Sequence, residues 1–264
     1  LGAMQAFRRA GAELVAVPSD ADGLDVDGLE AALADGLRPK FVYLVPHFHN
    51  PSGATLADDR RLRLLSLAER FGFLVVFDDP YRELFLDDDA PIDPGAHPMA
   101  VHLRSVSKVL APGLRVGWLI APEWLAAAVE RAKQSADLHT STVSQAIVFG
   151  AMTADWYPRH LDELRTAGRT KRDALCDALE TRLGAAISFV RPAGGMFVWA
   201  ELRNVDSTDD LLHRALDCGV AFVPGSAFAV ERDLSAHLRL SWATTAPAEL
   251  GEAVDRLARA LDRP

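Results

Sequence analysis

The chain has 264 residues, 49% hydrophobic and 25% charged, an ordinary globular composition that suits one large domain or two unequal ones. A formal net charge of -9 argues against a groove for phosphate backbones, and so against nucleic acid as a partner, although a local arginine could still hold a small anion. Cys176 and Cys218 lie far apart without a CxxC spacing, which fits a reducing, cytoplasmic setting rather than a disulfide scaffold or zinc ribbon. No apolar run reaches the roughly 18 residues that a membrane span needs.

In chain order, a helical pattern over Met4–Ala10 stops at Gly11, and "AELVAVP" (12–18) predicts a short strand. "SDADGLDVDGLEAAL" (19–33) predicts a turn and then a helix capped by Asp25 or Asp27. Its aspartates are misspaced for a calcium loop, since Gly23 comes too early and the closing glutamate is out of place. "FVYLVPH" (41–47) and "FLVVFDD" (73–79) are continuous apolar runs, which predicts strands buried on both faces, and 56–72 between them predicts a helix ending at Gly72. "AVHLRSVS" (100–107) and "RVGWLIAP" (115–122) add two more strands. Strands alternating with helices imply an α/β unit with a mostly parallel sheet.

Beyond Pro122 the pattern changes to helices over 123–138, 140–155 and 158–183. Strands at 187–192, 195–202, 220–224 and 238–243 follow, with helices at 207–217 and 247–262. The expected division is a large domain over 1–170 and a smaller α+β domain over 171–264.

Open α/β sheets bind ligands beyond the carboxyl ends of their strands. Asn50 follows the run at 41–47, Asp78, Asp79 and Tyr81 follow 73–77, and Ser107 and Lys108 follow 100–106. An amide, a carboxylate, a phenol, hydroxyls and an amine on one sheet edge suit pyridoxal phosphate, whose carbonyl is captured by a lysine as a Schiff base. Asp78 can face the ring nitrogen, Tyr81 and Asn50 the phenolic oxygen, and Ser105, Ser107 and Arg115 the phosphate. Arg239 can grip a substrate carboxylate with two parallel hydrogen bonds.

Other candidates have plainer readings. Asp79 reads as a solvated turn or a helix cap, "LDDDAPID" (86–93) as a solvated acidic loop, and Gly194-Gly195 and "PGSAF" (224–228) as turns. His47 and His49 share a strand face, but no third metal ligand accompanies them.

"HNPSG" (49–53), "DDPY" (78–81), "SVSK" (105–108), "APGLRVG" (111–117), "PAGGMFVW" (192–199) and "LRLS" (238–241) occur in that order. Together they resemble the fold-type I pyridoxal-phosphate enzymes, class I/II aminotransferases of the 2-aminoadipate and kynurenine branch. The resemblance implies a PLP-dependent transferase fold with a mixed, mostly parallel sheet. It makes Lys108 the Schiff-base lysine and proton shuttle, and Asp78 the partner of the pyridine nitrogen. Asn50 and Tyr81 would bind the phenolic oxygen; Ser105, Ser107 and Arg115 the phosphate; Arg239, with Asn50, the substrate carboxylate. It further implies a homodimer acting on an amino acid and a 2-oxo acid, and a cis Asn50–Pro51 peptide.

The family pattern also leads to the expectation that a region preceding Leu1 is missing. That region would hold a phosphate loop, a stacking aromatic ring and sheet strands, one of them beside the strand at 73–77. Two alternatives remain open: the sensor domain of a MocR-type regulator, and a lyase or decarboxylase on the same fold. In the regulators an apolar or aromatic residue usually replaces the asparagine of "HNPSG", so Asn50 favours the enzyme.

Overall fold

A computed structural model of the chain describes residues 2–87, 90–92 and 95–262. It divides into two compact units: an α/β unit of Val17–His49 and Ala54–Arg165, and an α+β unit of Leu1–Ala16, Asn50–Gly53 and Thr166–Pro264. The elements in chain order are α1 (Gly2–Arg9), β1 (Ser19–Asp20), β2 (Gly23–Leu24), α2 (Val26–Ala34), β3 (Phe41–Leu44), α3 (Asp58–Phe71), β4 (Leu74–Asp78), β5 (Ala100–Ser105), β6 (Gly117–Ile120), α4 (Glu123–Ala136), α5 (Thr142–Met152) and α6 (Tyr157–Leu183). Then come β7 (Ile187–Phe189), β8 (Phe197–Leu202), α7 (Thr208–Asp217), β9 (Val223–Pro224), β10 (His237–Ser241) and α8 (Pro247–Leu261). The division expected at residue 170 lies within α6.

The α/β unit is built on a sheet of order β3-β4-β5-β6. β3, β4 and β5 run parallel, and β6 returns antiparallel to β5. This is the mixed, mostly parallel sheet expected from the sequence. Period-2 alternation sends Val42, Leu44, Val75 and Phe77 to one face, where they pack with Leu29 and Leu33 of α2 and Leu64 and Ala68 of α3. Asp25 caps α2 by accepting from the Gly28 N–H at 3.0 Å, and Gly72 ends α3 at φ 74, a left-handed conformation that favours glycine. Gly117 is required where β6 crosses β5, because a Cβ there would lie 2.9 Å from the Arg104 carbonyl oxygen.

Three expectations change here. The segment 12–18 forms no strand, since it finds no ladder partner among the described residues, and an extended chain without one is not a strand. β3 and β4 are not buried on both faces: Val75 and Phe77 are 0% and 1% exposed, while Tyr43, Val76 and Asp78 on the opposite face are half-buried. No gap lies beside β4, which pairs with β3 on one side and β5 on the other, so the outer members of the described sheet are β3 and β6.

The α+β unit holds a wholly antiparallel sheet of order β7-β8-β10-β9. Val198, Ala200, Leu238 and Leu240 are buried in it, with Leu211 of α7 and Leu257 of α8. Arg172 is buried because its charge is answered: Nε donates to Asp173 at 2.9 Å and Nη1 to the Pro192 carbonyl at 3.0 Å. The acidic loop expected at 86–93 falls partly outside the described residues. Among the described residues no helix is long and apolar enough to cross a membrane.

Candidate functional site

Within the α/β unit, chemistry collects where the parallel strands end. β4 closes on Asp78 and β5 on Ser105, with Ser107 and Lys108 in the turn that follows. Tyr81 is buried, and Lys108 is exposed. Parallel strands end at the same level, so side chains that are distant in sequence come to one edge. The two serines form a unit: Ser105 Oγ donates to Ser107 Oγ at 2.7 Å and accepts the Ser107 N–H at 3.0 Å. A turn tied in this way presents hydroxyls together. Arg115, at φ 52, sits in a left-handed conformation that is uncommon for arginine, and its Nη1 donates to the Pro112 carbonyl at 3.2 Å.

Asp78 has a neighbour that sequence reading missed. Tyr43 pairs in register with Val76, and Asp78 is two residues further along the same face of β4. The Tyr43 hydroxyl donates to Asp78 Oδ2 at 2.5 Å. Burial pushes the Asp78 carboxyl above its usual range, the Tyr43 hydrogen bond opposes that, and the charge of Asp79 adds to it. Burial, and then the bond to Asp78, holds the Tyr43 phenol well above the ordinary phenol range.

Asp79 is not the solvated turn expected from the sequence. It is 6% exposed, and both of its carboxylate oxygens lie 3.0 Å from Nδ1 of His47. The signal available was the pairing of two buried strand ends, β3 and β4, whose register a local reading does not supply. Burial also pushes the His49 imidazole down to about 4.

Within the α+β unit, Asn50 and Arg239 come together across 189 positions of sequence: Arg239 Nη1 donates to Asn50 Oδ1 at 2.7 Å. The guanidinium lies over the Phe197 ring at 4.1 Å and near that of Phe228 at 5.3 Å. Phe197 lies in "PAGGMFVW" and Phe228 in "PGSAF", where local sequence gives neither aromatic a role. The Asn50–Pro51 peptide is cis, as expected. Asn50 and Arg239 thus belong to one unit, and Asp78, Tyr81, Ser105, Ser107, Lys108 and Arg115 to the other.

A mostly parallel sheet with an acid, an amine and paired hydroxyls at its strand ends places the α/β unit among open α/β folds, which gather ligand-facing side chains at that edge. Residues 3–257 match the family described as aminotransferase class I and II. The chain is 40% identical to a 2-aminoadipate transaminase of Thermus thermophilus, over 99% of this chain and 67% of that protein. It is 37% identical to aromatic-amino-acid aminotransferase 1 of Thermococcus litoralis, over 99% of this chain and 64% of that protein. The crystal structure of an α-aminoadipate aminotransferase of Thermus thermophilus, complexed with N-(5'-phosphopyridoxyl)-L-leucine, superposes with a TM-score of 0.93 at 39% identity, covering 98% of this chain and 68% of that one. This chain belongs to the class I and II aminotransferase family. It spans about two thirds of the length of these relatives, between 64% and 68%.

Proposed function

We propose that the protein is an aminotransferase that uses pyridoxal 5'-phosphate to move an amino group from an amino acid to a 2-oxo acid. The observation that best supports this reading is the Asp78 carboxylate at the end of β4, in the same sheet whose next strand leads into Ser105, Ser107 and Lys108. The donor set fits the cofactor group by group. Asp78 is an acceptor for a protonated ring nitrogen. The serine pair and Arg115 offer hydroxyls and a cation to a phosphate. Tyr81 offers a donor to a phenolic oxygen, and the family resemblance gives Asn50 the same role.

When bound, pyridoxal phosphate supplies an electron-withdrawing ring that accepts the electron pair released at the substrate Cα. The remaining work belongs to side chains. Asp78 holds the proton on the ring nitrogen, so that the ring keeps its positive charge. Lys108 would be the covalent attachment point and the base that takes the proton from the substrate Cα. Arg239 holds the substrate carboxylate. Because Arg239 donates to Oδ1 of Asn50, the amide nitrogen of Asn50 is left as a donor.

We further propose that residues 1–170 and 171–264 act as the cofactor-binding and the smaller domain of a cytoplasmic homodimer. The resemblance to the family supports that part. Sedimentation at equilibrium tests the dimer, and a single 28.6 kDa species would refute it.

The test of the function is incubation with pyridoxal phosphate, one amino acid and 2-oxoglutarate, followed by chromatography of the products. Aromatic amino acids and 2-aminoadipate head the panel, because the two relatives act on them by name. Matched formation of a 2-oxo acid and glutamate is expected. Release of ammonia or carbon dioxide without glutamate would replace the proposal with a lyase or decarboxylase.

A further inference from the structure

Asp78 needs help to do the work assigned to it. It sits on the half-buried face of β4, where removal from water favours the neutral acid, and the charge of the adjacent Asp79 favours it too. Its register partner on β5 is Leu103, an apolar residue. Tyr81, three positions on, brings a second phenol to the neighbourhood and is buried. From β3, Tyr43 supplies the counterweight: a phenol donating to Oδ2 at 2.5 Å. The phenol keeps its proton across the neutral range, because the same carboxylate and burial hold it there. A charge-assisted bond of this kind both favours the anion and fixes the carboxylate plane.

We propose that Tyr43 is a positioning residue: its hydroxyl ties down Oδ2 of Asp78 as an anion and leaves Oδ1 to meet the cationic ring nitrogen of the cofactor. The inference takes its ligand from the aminotransferase reading, but the Tyr43–Asp78 linkage stands on the strand geometry alone. Parallel register sets it, since Tyr43 opposes Val76 and the next residue on that face is Asp78.

The test uses Tyr43→Phe, which keeps the ring and removes only the hydroxyl. In cofactor-free protein labelled with carboxyl-13C aspartate, the Asp78 signal is identified by its loss in Asp78→Asn. Its titration is expected to move to higher pH in Tyr43→Phe, and an unmoved titration overturns the proposal. The pyridoxal phosphate dissociation constant is then measured by fluorescence in a double-mutant cycle. Tyr43→Phe is expected to weaken binding about tenfold in the wild-type background, the lower end for a lost bond to a charged group, and less than twofold in the Asp78→Asn background. Equal loss in both backgrounds would make Tyr43 a packing residue and refute its action through Asp78. If titration and cycle come out as expected while no amino transfer occurs with any substrate, the aminotransferase reading fails and the linkage stands.

Discussion

Replacing Arg239 by lysine separates its charge from its shape. The guanidinium presents a planar fork, rests on Phe197 at 4.1 Å and lies 5.3 Å from the Phe228 ring, while Nη1 holds Asn50 at 2.7 Å. Lysine keeps the positive charge but offers a point donor in place of the fork, so a carboxylate loses one charge-assisted hydrogen bond. That bond is worth about 1.5–3 kcal/mol, which at 1.36 kcal/mol per factor of ten is roughly a 10- to 150-fold rise in KM for the amino acid. The lost stacking costs about 0.5–1 kcal/mol per ring, so the protein stays folded with a melting temperature lower by a few degrees. Steady-state kinetics against amino-acid concentration, with thermal melts alongside, reads both quantities. An unchanged KM for amino acid in Arg239→Lys would refute the assignment, since a merely structural arginine would move only the melt.

Three further outcomes follow from the geometry. Lys108→Ala should abolish borohydride fixation of the cofactor, and a labelled peptide at another lysine would sink the assignment. Asp78→Asn should still bind cofactor yet slow the half-reaction strongly in stopped-flow absorbance. It should also stabilise the cofactor-free protein at neutral pH: the folded Asp78 carboxyl titrates above its unfolded value, so between the two the native state binds more protons and stability falls as pH rises. That gain should fade as pH drops through the ordinary carboxylate range, and urea midpoints showing no pH dependence in the difference would contradict it. Asp79→Ala should cost about 1–3 kcal/mol in urea unfolding, since it leaves Nδ1 of the buried His47 without the carboxylate 3.0 Å away; an unchanged urea midpoint would place Asp79 with exposed pairs.

Much of this protein is legible locally. Helix limits at Asp25 and Gly72 follow from capping and left-handed backbone, which depend on a few neighbouring residues. The strand-end positions of Asp78, Ser107 and Lys108 follow from apolar runs punctuated by polar residues, and the ordered motifs were enough to point to the family and to the cis Asn50–Pro51 bond. What local pattern could not supply is whatever depends on a partner strand. The run at 12–18 has the composition of a strand, yet strand structure needs a neighbour's backbone. The apolar runs of β3 and β4 looked evenly buried, but α2 and α3 pack against one face and leave the other to Tyr43 and Asp78. Parallel register across 35 positions brought Tyr43 to Asp78, and the same pair of strands buried Asp79 against His47, 32 positions away. Residue chemistry is therefore written in the chain, whereas the partner that holds each charge in its working state is chosen by strand pairing, a long-range geometry with no local signature.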